Sequence, residues 1–138
     1  EGDPQWQDVE TPVAQAVGPV DVAVLNHHGY IDSQNAFFVG ALRARAWIFF
    51  VWDDDHPTAG VYSRLRSTQI YPGPRDIFAT NMHEENKAVT DGLDKPESQH
   101  GHVIVRVAKG GATYRIIILD DSAETYRITA VHGPYESR

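Results

Sequence analysis

The stretch AWIFFVW, residues 46–52, is the longest apolar run of the chain, and it decides the fold class. A strand covered on one face alternates apolar and polar side chains, whereas a strand covered on both faces reads as a continuous apolar run. Residues 46–52 therefore predict a central strand in a layered α/β domain. The run is far shorter than the roughly 20 apolar residues that cross a membrane, so no membrane association is expected.

Two further strands are predicted on either side of this run, over residues 20–25 (VDVAVL) and 76–80 (DIFAT). Between the strands we expect two helices, the first capped by Ser33 and the second by Thr58. A strand, a crossover helix and a strand in repetition predict a mostly parallel sheet. The fold class is therefore predicted to be α/β over residues 20–83.

The segment before this region, residues 1–19, predicts a polar loop and then a helix from Asp8 to Val17. Pro12 is tolerated in such a helix only if it lies in the first turn. Gly18 ends the helix. The apolar stripe of this helix consists of Val9, Val13, Ala16 and Val17.

After residue 83 the alternation of predicted strands and helices ends. Residues 84–101 are polar and interrupted by Gly and Pro, which predicts a loop with at most one helical turn. Within residues 102–138, three β-rich runs at 102–108, 113–119 and 124–130 predict an antiparallel meander. We find no domain boundary, so the chain is interpreted as a single domain or half of one.

Composition restricts the chemistry of this chain of 138 residues. The formal net charge is −7 and only three lysines occur, so nucleic acid is not indicated as a partner. Cysteine is absent, which excludes disulfides, thiolate metal sites and cysteine nucleophiles. The compartment stays open, because a soluble cytoplasmic protein and one exported after removal of a signal both fit this composition.

Histidines follow three successive predicted strands. His27 and His28 come after the first strand, His56 after the second and His83 after the third. In open α/β sheets ligands bind outside the carboxyl ends of the strands, so these side chains are expected to meet at one edge. Imidazole with nearby carboxylate or amide groups, such as Asn26, suits zinc or manganese.

The adjacent histidines are expected to play different roles, because successive residues at a strand end point in opposite directions. The other polar candidates are interpreted as structural. Residues 53–55 (DDD) predict a solvated turn, His100 and His102 a surface position, and His132 a structural place in a terminal His-Gly-Pro turn.

An ordered set of short motifs resembles the second half of metallo-β-lactamase-fold hydrolases. The similar branch contains the hydrolase domain of competence-type DNA-uptake proteins and the choline-phosphate esterase of choline-binding proteins. The resemblance covers about half of the chain and implies the C-terminal half of an αββα sandwich. The matching elements, in order, are DVAVLNHHG (residues 21–29), Ser33, the apolar run 46–52, His56-Pro57-Thr58 and Thr80-Asn81.

The resemblance also implies roles for particular residues. The second histidine of the His-His-Gly motif is the family's last metal ligand, which assigns that role to His28. An Asp that bridges two metals precedes this motif in the family. Asp3 lies near the corresponding distance, and an Asp just upstream of Glu1 is the equal alternative. The implied cofactor is a pair of divalent metals, zinc or otherwise manganese. Groups facing the substrate or supporting the ligands would be Asn26, His27, Tyr30, His56 and His83.

The chain departs from the family at the main metal-binding motif, His-x-His-x-Asp-His, which it lacks. A metal site needs several imidazole and carboxylate ligands with one open position for water, and this chain offers one or two of them. We therefore expect the chain alone to be inactive. In an intact protein it would form the C-terminal portion of a metal-dependent hydrolase acting on a small-molecule ester or phosphoester.

A second hypothesis belongs to another class. The chain would be a non-catalytic α/β interaction domain, a degenerate relative without metal. Under the first hypothesis the expected partner is the missing N-terminal half, or otherwise a second copy, because half a domain exposes apolar surface.

Overall fold

The computed structural model describes the backbone of residues 4–138 and the side chains from residue 9 onward. Helices and strands alternate as far as residue 89, and three strands follow. The helices are α1 (Pro4–Val17), α2 (Ala36–Leu42), α3 (Ala59–Arg66) and α4 (Glu84–Val89), and the strands are β1 (Val22–Val24), β2 (Ala46–Phe49), β3 (Asp76–Ala79), β4 (His102–Val107), β5 (Thr113–Leu119) and β6 (Ile128–Glu136).

The first three strands form a parallel sheet in the order β1-β2-β3. In register, Val22 lies opposite Ala46, and Ala46 lies opposite Asp76. All four residues of β2 are buried, because helices cover one face of this strand and a second sheet covers the other. The predicted α/β class, with a parallel portion ahead of an antiparallel one, is confirmed.

The last three strands form an antiparallel sheet in the order β4-β5-β6. The final strand was expected at residues 124–130, but β6 runs over Ile128–Glu136. The reason is a wide loop, in which the Asp120 carboxylate accepts bonds from both the backbone N–H and the hydroxyl of Ser122. The prediction that His132 lies in a terminal turn is also wrong, because His132 is inside β6 and pairs with Ile116.

The domain has three layers. Trp47 and Phe49 of β2 point into a core shared with the helices, where they meet residues such as Val39 of α2. Ile48 points the other way, into a second core between the two sheets, where it meets Ile116 of β5. Because alternate residues of one strand serve both cores, the parallel sheet is the middle layer.

Helix α1 differs from its prediction in two respects. It begins at Pro4, so Pro12 lies inside it rather than in its first turn. The second difference is its buried face, which carries Glu10 and Ala14, whereas the predicted apolar stripe faces solvent. Three valines of that stripe, Val9, Val13 and Val17, are 45 to 56% exposed.

Helix α2 is capped by Asn35, whose side chain accepts a bond from Phe38 N at 2.8 Å. The predicted cap, Ser33, instead donates to Tyr30 O and to Gln34 Oε1. The second prediction, Thr58 ahead of α3, is at the N-cap position, although its side chain makes no capping bond.

None of the helices in the described part of the chain is long and apolar enough to span a membrane.

Candidate functional site

A strained turn follows β1. Residues Asn26–Gly29 form one tight turn in which His27 and His28 have φ of 44° and 56°, and Gly29 has φ of 83°. Left-handed backbone costs a residue with a Cβ atom about 1–2 kcal/mol. Such strain persists only where surrounding contacts hold it, and it concentrates at functional sites. The expectation of an extended strand end, with the two histidines opposed, is wrong for this turn.

His28 is oriented by a backbone carbonyl. Its Nδ1 lies 2.7 Å from Phe50 O, just beyond the end of β2. A carbonyl oxygen only accepts, so Nδ1 carries a proton, and the nitrogen that has a lone pair in the neutral form of such a ring is Nε2. Metal-bound histidines are commonly fixed in this way, with the second ring nitrogen donating to a carbonyl or carboxylate.

His27 is oriented by a carboxylate. Its Nδ1 lies 2.9 Å from Asp32 Oδ1, and the Asp32 side chain is only 7% exposed. The Tyr30 ring meets the His27 ring edge to face, with centroids 5.4 Å apart. The histidine that follows β1 first is therefore held by a nearly buried acid, and its ring is still partly exposed.

His56 packs directly on His28. The two rings are stacked with centroids 5.1 Å apart, and the Tyr30 ring meets His56 at 5.8 Å. His56 Nδ1 accepts a bond from Asp53 N, which requires an unprotonated Nδ1. Burial lowers the pKa of His56, and the opposing effect of the nearby Asp55 carboxylate is smaller. His56 is therefore a neutral, buried support for the turn.

Gly29 joins the two loops that carry these histidines. Its carbonyl accepts a bond from Thr58 N at 3.0 Å. A Cβ atom at Gly29 would lie 2.8 Å from Leu25 Cδ2 and 2.8 Å from Pro57 Cβ, closer than real side chains approach. The His-His-Gly turn and the His-Pro-Thr loop thus fit together only with glycine at this position.

A buried polar network lies beneath the turn. Glu10 of α1 is 3% exposed. Its carboxylate accepts bonds from the backbone N–H groups of Gln34 and Asn35, both at 2.7 Å, and from Asn26 Nδ2 at 3.0 Å. Arg64 of α3 closes the network through Gln34 O and Ser33 O. The candidate residue Asn26 is therefore bound to the α1 helix.

The sequence interpretation missed Glu10, Asp32, Gln34 and Arg64. Gln34 has φ of 49° although it is fully buried, and no sequence signal indicates such a conformation. Asp32 lies only five positions after His27, and that proximity was the one available signal.

The remaining candidates are distributed as follows. His83 occupies the N-cap position of α4, and it is not one of the rings that meet around His28 and His56 in the described structure. Residues 53–55 are exposed, as a solvated turn would be. Asp3 lies outside the residues that the structure describes.

The metal site that the resemblance implies needs several ligating side chains close together. Among the side chains described, from residue 9 to residue 138, no group of three or more His, Asp or Glu could hold a metal ion. His28 has the orientation of a ligand, but the described residues by themselves do not fit a metal centre. Their arrangement orients two imidazoles and supports a strained turn.

Comparisons of the chain with protein-family models, with curated proteins and with solved structures found no match.

Proposed function

We propose that this chain is the C-terminal portion of a metal-dependent hydrolase of the ester or phosphoester class, to which it contributes His28 as one metal ligand. The remaining ligands come from a segment outside residues 4–138. In such an enzyme a divalent metal, zinc or manganese, supplies an activated water molecule. The chain alone is inactive under this proposal.

The observation that carries the proposal is the bond from His28 Nδ1 to Phe50 O. It presents Nε2 at the carboxyl end of the parallel sheet, where α/β folds bind their ligands. The left-handed turn adds support, because the protein keeps a costly conformation at this residue.

The other ring groups support His28 in this proposal. His56 stacks on its face, and the Asp32 carboxylate fixes the neighbouring His27. His27 is exposed, and Tyr30 is partly exposed like His28, so His27 and Tyr30 are assigned to the substrate side of the His28 ligand. Asn26 holds the turn to α1 through Glu10.

The uncovered face of α1 supports a partner that completes the domain. Val9, Val13 and Val17 follow one another at intervals of four residues and are all exposed. A contiguous apolar face of this kind usually marks an interaction surface. We assign it to the N-terminal half of the same hydrolase, which would supply the missing ligands.

The first test is the coding sequence upstream of Glu1. The proposal expects a His-x-His-x-Asp-His motif there, within roughly the length of one further domain. If that sequence lacks the motif, the hydrolase proposal is wrong.

The second test is metal analysis of the protein expressed with its upstream segment. His28→Asn removes the imidazole, and Asn tolerates the left-handed backbone better than most residues. We expect His28→Asn to lower the bound metal and hydrolysis of a chromogenic phosphodiester, whereas His100→Asn, at an exposed position, leaves both unchanged. Equal metal content in the two variants would remove His28 from the site.

The alternative function is a non-catalytic interaction domain. It is favoured by one observation, that no three-ligand group occurs among the described side chains. Under this alternative the strained turn serves only to join two loops. Metal content at background level in the upstream-extended protein, with the fold intact, would support it.

A further inference from the structure

Two arginines face each other across the antiparallel sheet. Arg106 of β4 is directly opposite Arg115 of β5, and both side chains are exposed. Like charges at directly opposed positions destabilise a sheet unless another group neutralises them. Among the described residues, neither arginine takes part in an ion pair or a side-chain hydrogen bond. The fold therefore retains a like-charge pair that has no ion-pair partner among the described residues.

The sequence around this pair is positively charged, which is unusual in a protein of negative net charge. Residues 100–119 contain three cations, Arg106, Lys109 and Arg115, and no acidic residue, although the chain has 19 acidic residues and a net charge of −7. Arg106 and Arg115 border a depression of about 450 Å³ on the sheet, with Ile117 and Val131 on its surface. Charge and apolar area are thus concentrated on one face.

Strand β4 lies next to this face at the edge of its sheet. In the described chain its outer edge pairs with no other strand. Its apolar side chains are uncovered on both faces, with Ile104 41%, Val105 39% and Val107 59% exposed. An apolar edge strand of this length is a template for a further strand, and proteins usually protect such edges.

A second copy of the chain does not suit this edge. Antiparallel self-pairing about Val105 would place Ile104 opposite Arg106 of the copy. That arrangement would bring two repulsive arginine pairs into one sheet and add no carboxylate. The partner that fits has opposite charge on one face and apolar residues on the other.

We infer that the edge of β4 binds an extended segment of alternating acidic and apolar residues, which joins the sheet as an additional strand. Its apolar side chains pack on Val105 and Val107, on the face towards the parallel sheet. Its carboxylates lie on the outer face, beside Arg106 and within reach of Arg115. Main-chain bonds give affinity in strand addition of this kind, and side chains give specificity. This inference does not depend on the proposed hydrolase site.

The test uses two short capped peptides, one of alternating valine and glutamate and one of alternating valine and lysine. The net charge of −7 favours the lysine peptide, so the two effects oppose each other. We expect the glutamate peptide to bind about tenfold more tightly than the lysine peptide. Binding should also slow amide hydrogen exchange in β4 more than elsewhere.

Charge-reversed variants provide the controls. Arg106→Glu should abolish or invert the peptide preference, whereas Lys95→Glu, an exposed cation outside residues 100–119, should keep it. Equal binding of both peptides, or an unchanged preference in Arg106→Glu, would overturn the inference. So would a single-stranded oligonucleotide that outcompetes the glutamate peptide, because the face would then be a phosphate-binding surface.

Discussion

Two regions of the molecule differ in the surroundings of their charged groups. These regions are the carboxyl end of the parallel sheet and the outer face of the antiparallel sheet. Beneath the His27–His28 turn, the Glu10 carboxylate is buried and accepts three hydrogen bonds. On the antiparallel sheet, Arg106 and Arg115 lie opposed and exposed, with no ion-pair partner among the described residues. The Glu10 network of the first region is satisfied within the described chain, since its carboxylate has three donors. The arginine pair of the second region has no such support among the described residues, which is the basis of the proposed acidic partner strand.

The largest expected effect on stability comes from removing the Glu10 carboxylate beneath the His27–His28 turn. Glu10→Ala leaves two buried backbone N–H groups and Asn26 without their acceptor, so we expect a loss of about 3 kcal/mol in the free energy of unfolding. Gln15→Ala, at an exposed position of the same helix, should change it by less than about 0.5 kcal/mol. Urea denaturation measures both, and an equal effect of the two substitutions would show that the network contributes nothing.

The next effect tests how tightly the two loops meet at Gly29. Gly29→Ala adds a Cβ atom against Leu25 and Pro57, so we expect a cost of about 2 kcal/mol from strain and overpacking together. Gly110 is a matched control, because it also has positive φ but a Cβ atom added there would meet no other atom within 4 Å. Gly110→Ala should cost about 1 kcal/mol from backbone strain alone. Similar losses in thermal denaturation would contradict the close fit of the loops.

These two positions also mark where prediction from the sequence ends. The strand at residues 46–52 was predictable because burial on both faces leaves a compositional trace in the chain itself. The proximity of His28 and His56 was predictable in the same manner, because parallel strands place their carboxyl ends at one edge. Both features depend on short segments and on a general rule of topology.

Glu10 was not predictable, because its partners are backbone groups that come into position only through the positive φ of Gln34, 24 residues away. The helical pattern of α1 indicated Val9, Val13 and Val17 as its buried face. This pattern was misleading, because three hydrogen bonds to the Glu10 carboxylate allow α1 to bury a face that carries a charged residue. The left-handed turn at His27 and His28 was missed for a similar reason, since two of its supports, Phe50 and His56, are distant in sequence.

A smaller effect is expected where the two sheets meet. The Tyr135 hydroxyl of β6 donates to Asp76 Oδ2 of β3 at 2.6 Å. Burial, and then this bond to a carboxylate, raise the pKa of Tyr135 above its usual value of about 10. The unfolded chain therefore loses this proton before the folded chain does, so the stabilisation is present below about pH 10 and is lost as the pH rises further.

Tyr135→Phe should cost about 1 kcal/mol at neutral pH, because it removes the bond between the sheets. It should also make the free energy of unfolding fall less steeply above about pH 10 than in the unmodified protein. Tyr126→Phe, at an exposed position in the loop before β6, serves as the control. If Tyr135→Phe and the unmodified protein lost stability in parallel at alkaline pH, Tyr135 would not be the group responsible.

The smallest effect has the opposite sign and comes from the arginine pair of the antiparallel sheet. Arg106→Glu replaces a repulsive cross-strand pair with an attractive one, so we expect the isolated chain to gain about 0.5 kcal/mol. The gain should diminish at high salt, because both side chains are exposed. The double variant Arg106→Glu with Arg115→Glu restores like charges and should lose the gain. If this gain is measured, a natural sequence that forgoes it supports the proposal that the two arginines bind a group outside the described chain. If Arg106→Glu proved destabilising in low salt, the pair would not be repulsive and the case for an acidic partner strand would fail.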